Sequence, residues 1–294
     1  MRSALVIAAF TLFNAFRLAG YFHEPRLGSR AIHQVVGEPA RVAASAQAGE
    51  LKVVTWNIAY GARFDGVLDA ARKLDADVYI LQEVDLFCRR SGNRNVAKDL
   101  ADGLGANWVF AGEFQEIGES TGRVPALTGQ AILSRYPILD ASAVPFRAQA
   151  WLRWHLNPLQ PRRGGRMRLT ALTAGVRIYN AHLESGGNER RRRQQLDDIL
   201  AADSADRMTP SPVLLAGDFN NGPIKRTRLF AAVSAADFID ALGPAADRQR
   251  TCVHREYPID WLFVRHLRPL IGQVLPIDYI SDHYPVTATL RLEG

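Results

Sequence analysis

Short runs of apolar and β-branched residues recur between polar segments over most of the chain, from residue 52 to residue 291. Runs of about four to eight such residues, bounded by turn-forming residues, are typical of buried β-strands. The predicted strands lie at 52–58, 78–84, 107–111, 129–134, 167–173, 176–183, 213–217, 259–264 and 285–291. The pattern therefore predicts roughly nine or more strands.

Four other segments place their apolar residues at helical spacing, at 65–75, 95–104, 189–202 and 224–233. Asn188 directly precedes the third of these segments and is a suitable N-cap residue, because its side-chain oxygen can accept a bond from a free backbone N–H. The sequence contains no internal repeat and no low-complexity tract. Strands and helices that alternate in this way predict an α/β domain.

The first 50 residues follow a different pattern. Residues 4–16 form an apolar run of 13 residues that follows Arg2 and is too short to span a bilayer. We interpret residues 1–22 as a hydrophobic signal or anchor-like segment, 23–50 as a linker and 51–294 as the catalytic domain. A packing helix and an over-extended start are alternatives for the first segment. The signal interpretation predicts an exported or membrane-associated protein, and the alternatives predict a cytoplasmic one.

Composition restricts the class of protein. The chain has 294 residues, of which 47% are hydrophobic and 22% charged, as is usual for a globular domain. Its formal net charge is +6, and all but four of its 36 basic residues are arginine. A basic surface favours polyanions, although the arginine content is also explained by the base composition of the source genome. Two cysteines, Cys88 and Cys252, exclude a disulfide-rich scaffold and leave open whether they pair.

Polar residues with metal-binding or acid–base chemistry stand at the ends of six predicted strands. They are Asn57, Glu83, His182, Asp218 with Asn220, Asp260, and Asp282 with His283. Each alone is also explained by a turn, a cap or a half-buried histidine. Together they would collect negative charge at one edge of the sheets, which a hard divalent cation such as Mg²⁺ or Mn²⁺ would neutralise.

Seven motifs occur in the order that is found in one large superfamily. They are "TWNI", "LQEVD", "GQAILSRYPI", "YNAHLES", "AGDFNNGP", "IDWLFV" and "SDHYPV", and they lie within residues 51–291. The sequence resembles the endonuclease/exonuclease/phosphatase superfamily, which includes deoxyribonuclease-like nucleases, apurinic endonucleases, neutral sphingomyelinases and inositol polyphosphate 5-phosphatases. The resemblance implies a four-layer α/β sandwich, in which two packed, mostly antiparallel sheets are flanked by helices.

The resemblance also implies a metal site for Mg²⁺ or Mn²⁺. Glu83 would bind the ion directly, Asn57 would contact metal-bound water or phosphate beside it, and Asp282 would be a further ligand. Ala59 stands where apurinic endonucleases usually have Asp, and His182 stands where they have Tyr, so the resemblance is weaker for that branch.

The remaining strand-end residues would carry out the chemistry. Asp218 would orient or deprotonate the attacking water, and Asn220 would hold this water and a phosphate oxygen. His283, oriented by Asp260, would neutralise the phosphoryl oxygens. His182 would contact the phosphate or donate a proton to the leaving oxygen. These are the groups that in-line displacement at phosphorus requires.

A segment at 147–166 mixes tryptophans with arginines and is a candidate substrate wall. Trp151 and Trp154 could stack on bases or lie at a lipid interface, while Arg162 and Arg163 could contact phosphates. A hairpin whose tryptophans pack on the core is the alternative.

The sequence thus predicts a divalent-metal-dependent phosphoesterase that hydrolyses a phosphodiester in a nuclease-like reaction. A phospholipid or inositol-phosphate phosphoesterase is the alternative, and an inactive relative that binds nucleic acid or lipid is a third. The predicted partner is a phosphodiester substrate, either nucleic acid or a phospholipid headgroup, and no obligate protein partner is evident. Membrane association would occur through the N-terminus.

Overall fold

The computed structural model describes residues 24–42, 49–121, 124–150, 160–186, 188–205, 211–221, 223–243 and 249–292. The predicted signal or anchor-like segment, residues 1–22, lies outside these residues. In the described part of the chain, no helix has the length and apolar character needed to cross a bilayer. Cys88 and Cys252 are both free and buried.

The first sheet contains eight strands. They are β1 (Val35–Glu38), β2 (Glu50–Tyr60), β3 (Val78–Leu86), β4 (Asn107–Glu116), β5 (Leu127–Ser134), β7 (Arg162–Gly164), β13 (Leu267–Val274) and β14 (Val286–Leu292). Their order is β1-β4-β5-β3-β2-β14-β13, and β7 also pairs with β4. Only β2 and β3 run parallel among these described pairs.

The second sheet contains six strands. They are β6 (Ile138–Pro145), β8 (Met167–Thr173), β9 (Val176–His182), β10 (Val213–Asp218), β11 (Ile239–Asp240) and β12 (Asp260–Arg265). Their order is β11-β12-β10-β9-β8-β6, and β9–β10 is the parallel pair among the described residues. Both sheets are therefore mostly antiparallel, and each carries one parallel pair near its centre.

Apolar side chains between the two sheets form one buried cluster. Val53 and Ile80 contribute from the first sheet, and Ile178 and Leu215 contribute from the second. Burying each such side chain stabilises the fold by roughly 2 kcal/mol. This shared core fixes the two sheets against each other, and with them the strand ends that carry the candidate site.

Five helices in the described residues complete the fold. They are α1 (Ser29–Ile32), α2 (Phe64–Leu74), α3 (Val96–Leu104), α4 (Glu189–Ala205) and α5 (Pro223–Ala235). Helices α2 and α3 pack Val67 and Leu100 into a cluster with Trp108 of β4, while Leu196 of α4 belongs to the large cluster that both sheets share. The predicted α/β sandwich of two packed sheets flanked by helices is confirmed.

Each predicted strand and helix overlaps an observed one. The predicted cap is confirmed as well, since Asn188 Oδ1 accepts a bond from Arg191 N at 3.0 Å. Within the predicted linker at 23–50, residues 29–32 form α1 and residues 35–38 form β1. Strand β1 pairs with β4, so that Val35 lies opposite Ala111, and this pairing adds a strand to the edge of the first sheet.

Candidate active site

Bulges in β2 and β3 bring two of the predicted residues to the end of the first sheet. The register of β2 against β3 shifts between Asn57 and Tyr60, and the register of β3 against β5 shifts between Leu81 and Val84. Glu83 has a positive φ of 49° inside the second of these bulges. A bulge redirects side chains at the point where regular pairing stops, and such backbone strain is common at functional sites.

Glu83 lines an open cavity of about 780 Å³, which Asp282 also lines. Its side chain is 23% exposed, and no donor among the described residues hydrogen-bonds to its carboxylate. Burial opposes its ionisation, but the nearby positive charges, led by His182 and Arg162, outweigh burial and lower the pKa of Glu83. Glu83 is therefore an ionised carboxylate whose oxygens are available as ligands to a cation.

Strand pairing in the second sheet aligns three more predicted residues. Asp218 is the last residue of β10, and it lies opposite His182 of β9 and Asp260 of β12. Gly217, which precedes it, has a φ of 141°, and a Cβ there would lie 1.9 Å from the Ala181 carbonyl oxygen. Only glycine permits this approach, which explains the glycine of the "AGD" motif.

The two sheets meet at the carboxylate of Asp218. Its Oδ2 lies 3.4 Å from Asn57 Nδ2, 3.7 Å from His182 Nε2 and 3.9 Å from His283 Nε2. Its Oδ1 accepts a bond from Asn220 N at 2.8 Å, which fixes the carboxylate. Asn220 in turn donates through Nδ2 to Leu183 O at 3.1 Å. Residues from both sheets are thus brought together around one buried oxygen.

His283 is held by a buried carboxylate. Its Nδ1 lies 2.9 and 3.0 Å from the two oxygens of Asp260, and Thr251 Oγ1 donates to Asp260 Oδ2 at 2.6 Å. Burial opposes protonation of His283, but Asp260 outweighs it and raises the pKa of His283 well above the ordinary value. Burial also raises the pKa of Asp260 to about 6. The pair therefore titrates as a unit, and at neutral pH it holds a proton on the imidazole.

His182 is held by two residues that sequence reasoning missed, Glu113 and Arg166. Arg166 Nη1 contacts His182 Nδ1 at 2.6 Å and Glu113 Oε2 at 2.7 Å, and Glu113 Oε2 lies 3.3 Å from His182 Nδ1. All three side chains are almost fully buried. Glu113 lies within the largely apolar strand β4, and this position could have predicted such a contact, because a buried carboxylate requires a cationic partner.

The remaining metal candidate, Asp282, lies close to Cys252 and His283, with ligand atoms within 4.8 Å of one another. The ligand atoms of a second group, Asp218, Asp260 and His283, also lie within 4.8 Å of one another. Glu83 belongs to neither group. Glu83 and Asp282 share the cavity, and Asn57 lies beside Asp218. The carboxylate oxygens of Glu83 and Asp282 and the amide oxygen of Asn57 are of the ligand type that a hard divalent cation prefers.

The predicted substrate wall is described only in part. Trp151 and Trp154 lie outside the described residues. Arg162 and Arg163 are buried, at 4% and 7% exposure. Arg162 is ion-paired through Nε with Glu116 Oε1 at 2.8 Å. Substrate binding by these four residues stays a prediction.

Comparisons with known proteins agree with this architecture. The family model described as "Endonuclease/Exonuclease/phosphatase family" matches residues 54–283. Solved structures of similar fold include an endonuclease/exonuclease/phosphatase from Beutenbergia cavernae DSM 12333, with 20% identity, a TM-score of 0.62 and coverage of 84% of this chain and 72% of that chain. The human Nocturnin catalytic domain with bound sulfate has 17% identity, a TM-score of 0.63 and coverage of 91% and 100%.

An AP endonuclease from Archaeoglobus fulgidus has 18% identity and a TM-score of 0.58, with coverage of 81% of this chain and 98% of that chain. At these identities the likeness shows a common fold. A search of curated proteins found no match.

Proposed function

The chain belongs to the endonuclease/exonuclease/phosphatase family, whose members are hydrolases that act on phosphoester bonds, and from this premise we propose that it is a Mg²⁺- or Mn²⁺-dependent phosphodiesterase. The observation that carries the proposal is the convergence of Asn57, His182 and His283 on the buried Asp218 carboxylate, at 3.4 to 3.9 Å. Asn57 Nδ2 donates a long bond to Asp218 Oδ2, and the two histidine separations, 3.7 and 3.9 Å, exceed those of direct hydrogen bonds between charged groups. They leave the groups available to a water and a phosphoryl group.

Glu83 would hold the divalent ion together with Asp282, which lines the same cavity, and Asn57, which contacts Asp218. Glu83 is suited to this role because its pKa is lowered in spite of burial and because it is partly exposed to the cavity. When bound, the ion supplies Lewis-acid stabilisation of the negative charge that develops on the phosphoryl oxygens.

In the proposed reaction Asp218 accepts a proton from the attacking water. Its Oδ1 is occupied by the bond from Asn220 N, so Oδ2 is the oxygen that faces the neighbouring side chains. In the proposed reaction the Asn220 side chain, which donates to Leu183 O, helps to hold the water. Positioning of this kind converts a bimolecular attack into an effectively unimolecular one.

The two histidines act on the phosphoryl group, and each is held by different neighbouring residues. The Asp260 carboxylate keeps His283 protonated, and an imidazolium stabilises charge on the phosphoryl oxygens. Arg166 and Glu113 both contact His182 Nδ1, so Nε2 is the ring nitrogen that faces Glu83 and Asp218. His182 would contact the phosphate through Nε2.

The proposed substrate is a nucleic-acid phosphodiester. The net charge of +6 supports this choice, because a basic protein attracts a polyanion. Among proteins of similar fold, the one from Archaeoglobus fulgidus is an AP endonuclease.

We also propose that residues 4–16 direct export or membrane attachment. N-terminal sequencing of protein from fractionated cells tests this, and an intact N-terminus found only in the cytosol contradicts it.

Hydrolysis of a substrate panel, with and without metal, tests the proposed function. The panel contains plasmid DNA, abasic duplex, sphingomyelin, phosphoinositides and bis-p-nitrophenyl phosphate, with Mg²⁺ or Mn²⁺. We expect cleavage of DNA and of bis-p-nitrophenyl phosphate, abolished by chelator and lowered at least about 100-fold by Glu83→Gln. Glu50→Gln, an exposed carboxylate paired with Arg291, is the control and should keep activity.

Each result discriminates between alternatives. Full activity in excess chelator contradicts the metal assignment. Cleavage of lipid or phosphoinositide but not of DNA contradicts the nucleic-acid substrate and supports the phospholipid alternative. No hydrolysis of any substrate contradicts catalysis.

A further inference from the structure

Tyr60 lines the same cavity as Glu83 but belongs to none of the strand-end motifs. It is the last residue of β2 and lies just after the bulge, with a positive φ of 69°. A bulky side chain rarely adopts this conformation, and the strain persists only where the surrounding structure imposes it. The position of Tyr60 is therefore one that the fold maintains at a cost.

Two arginines hold the ring and the hydroxyl of Tyr60. The guanidinium carbon of Arg90 lies 3.6 Å from the ring centroid, and Arg90 makes two bonds of 2.8 Å to Asp85. Arg162 Nη2 donates to the Tyr60 hydroxyl at 3.2 Å. Glu116 Oε1 joins the two arginines, at 3.2 Å from Arg90 and 2.8 Å from Arg162. Two positive and two negative side chains thus fix one tyrosine.

The cost of this network indicates a function beyond packing. Asp85, Glu116 and Arg162 are at most 5% exposed, and burying ion pairs often stabilises a fold no more than apolar packing does. The benefit of the network is a rigid geometry. That geometry is applied to a side chain at the wall of the candidate active site.

The direction of hydrogen bonding leaves the tyrosine proton available. A guanidinium has no acceptor, so the Tyr60 oxygen accepts from Arg162 and its own proton must go to another group. Among the described residues, no acceptor lies within hydrogen-bond distance of this hydroxyl. Burial, and after it the Glu83 carboxylate, raises the pKa of Tyr60, so the hydroxyl keeps its proton at neutral pH.

We propose that the Tyr60 hydroxyl donates a hydrogen bond to a non-bridging phosphoryl oxygen of the substrate, beside Glu83. This inference rests on the proposed phosphodiesterase function and adds a substrate-contacting residue to it. Arg162, which is too buried to form an exposed substrate wall, contributes to substrate binding through Tyr60. A neutral donor already fixed by its neighbours needs no reorganisation when charge develops on the phosphoryl group.

The substitution Tyr60→Phe removes the hydroxyl and keeps the ring between its arginines. We expect kcat/KM for bis-p-nitrophenyl phosphate to fall about 10- to 100-fold. We also expect the Kd for inorganic phosphate, measured by calorimetry in magnesium-containing buffer, to rise about tenfold. Thermal melting should show that the variant is folded.

Tyr79→Phe is the matched control. The Tyr79 hydroxyl is buried away from the cavity, where it accepts from Ala76 N at 2.9 Å and donates to Ala71 O at 2.6 Å. This variant loses stability but should keep the kinetic constants and the phosphate affinity of the wild type. As a second variant of Tyr60, 3-fluorotyrosine has nearly the same shape and a stronger hydroxyl donor, and it should bind phosphate more tightly.

The outcomes separate this inference from the function on which it rests. An active wild type with Tyr60→Phe at wild-type kcat/KM and phosphate affinity overturns the inference and leaves the function standing. A Tyr60→Phe variant that needs more metal but binds phosphate normally also overturns it, because the hydroxyl then acts on Glu83. If Tyr60→Phe fails to fold, a phosphate affinity unchanged by 3-fluorotyrosine overturns the inference. A wild type without any hydrolysis overturns both.

Discussion

At the scale of single residues, both histidines of the candidate site are buried and are held by buried ionisable partners. Asp260 holds His283, and Glu113 with Arg166 holds His182. The histidines and Asp260 could be predicted, since each stands at the end of an apolar run. Their supports could not, because Glu113 and Arg166 lie inside other strands or beside them, and only the folded chain brings them to His182.

Glu113 provides a test of these buried partners by pH. Burial raises the pKa of Glu113, but Arg166 and His182 outweigh burial and lower the pKa to about 2 from an ordinary 4.5. A depressed carboxyl pKa stabilises the fold above the ordinary value, and this contribution is lost as the pH falls through the folded value. The shift corresponds to roughly 3 kcal/mol. The stabilisation should therefore be full above about pH 5 and should decrease between about pH 4.5 and pH 2.

Urea unfolding of the wild type and of Glu113→Gln, measured from about pH 7 to pH 3, checks this. We expect the free energy of unfolding of the wild type to exceed that of Glu113→Gln by a constant amount near pH 7. This difference should decrease below about pH 4.5. Asp69→Asn, at an exposed side chain, is the control and should show no such narrowing. A difference that does not change with pH would mean that Glu113 is not ionised in the folded protein.

At the scale of elements, strand signals were reliable where strands are buried and weak at the edges of the sheets. Five strands were not predicted, namely β1, β6, β7, β11 and β13. Strand β6 is largely exposed, so it lacks the apolar run that marks a strand. Strand β13 contains Pro269 at a register shift, and proline in a sheet is restricted to edges and bulges. The bulges at Asn57 and Glu83 also have no apolar signature.

The parallel pairing of β9 with β10 depends on Gly217, and this gives the second prediction. In Gly217→Ala, the new Cβ would lie 1.9 Å from the Ala181 carbonyl oxygen, so the two strands must separate. We expect a loss of several kcal/mol in the free energy of unfolding, roughly 3 or more, and loss of activity as Asp218 moves. Denaturant unfolding and hydrolysis assays measure both effects.

Gly49→Ala is the control for backbone strain alone. Gly49 has a similar φ of 153°, and a Cβ there would meet nothing within 4 Å. This variant should lose less stability than Gly217→Ala and should keep its activity. Equal losses in the two variants would show that strain in φ, and not contact with β9, is the cause.

At the scale of the whole molecule, the site forms where the carboxyl ends of the two parallel pairs meet. Asn57 and Glu83 come from β2 and β3 of the first sheet, and His182 and Asp218 come from β9 and β10 of the second. The sequence predicted the α/β class through periodicity, and the resemblance implied the sandwich. The order of the strands, which creates this meeting point, depends on contacts between distant segments and is not present in any local pattern.

Net charge is also a property of the whole molecule, and it gives the last prediction. If the substrate is a nucleic acid, part of the +6 charge must contact phosphates, and each contact releases a counterion. Arg63 and Arg250 are exposed and line the cavity that holds Glu83. We expect the logarithm of the affinity for a duplex of roughly 20 bp to fall linearly with the logarithm of the salt concentration, and Arg63→Gln and Arg250→Gln each to reduce the slope by about one. Fluorescence anisotropy in chelator, where hydrolysis is blocked, measures the affinity.

Arg291→Gln removes an arginine that is paired with Glu50 outside the cavity, and it should leave the slope unchanged. Equal slopes for all three variants would mean that duplex DNA does not bind across this cavity, and the basic charge would then have to serve another substrate.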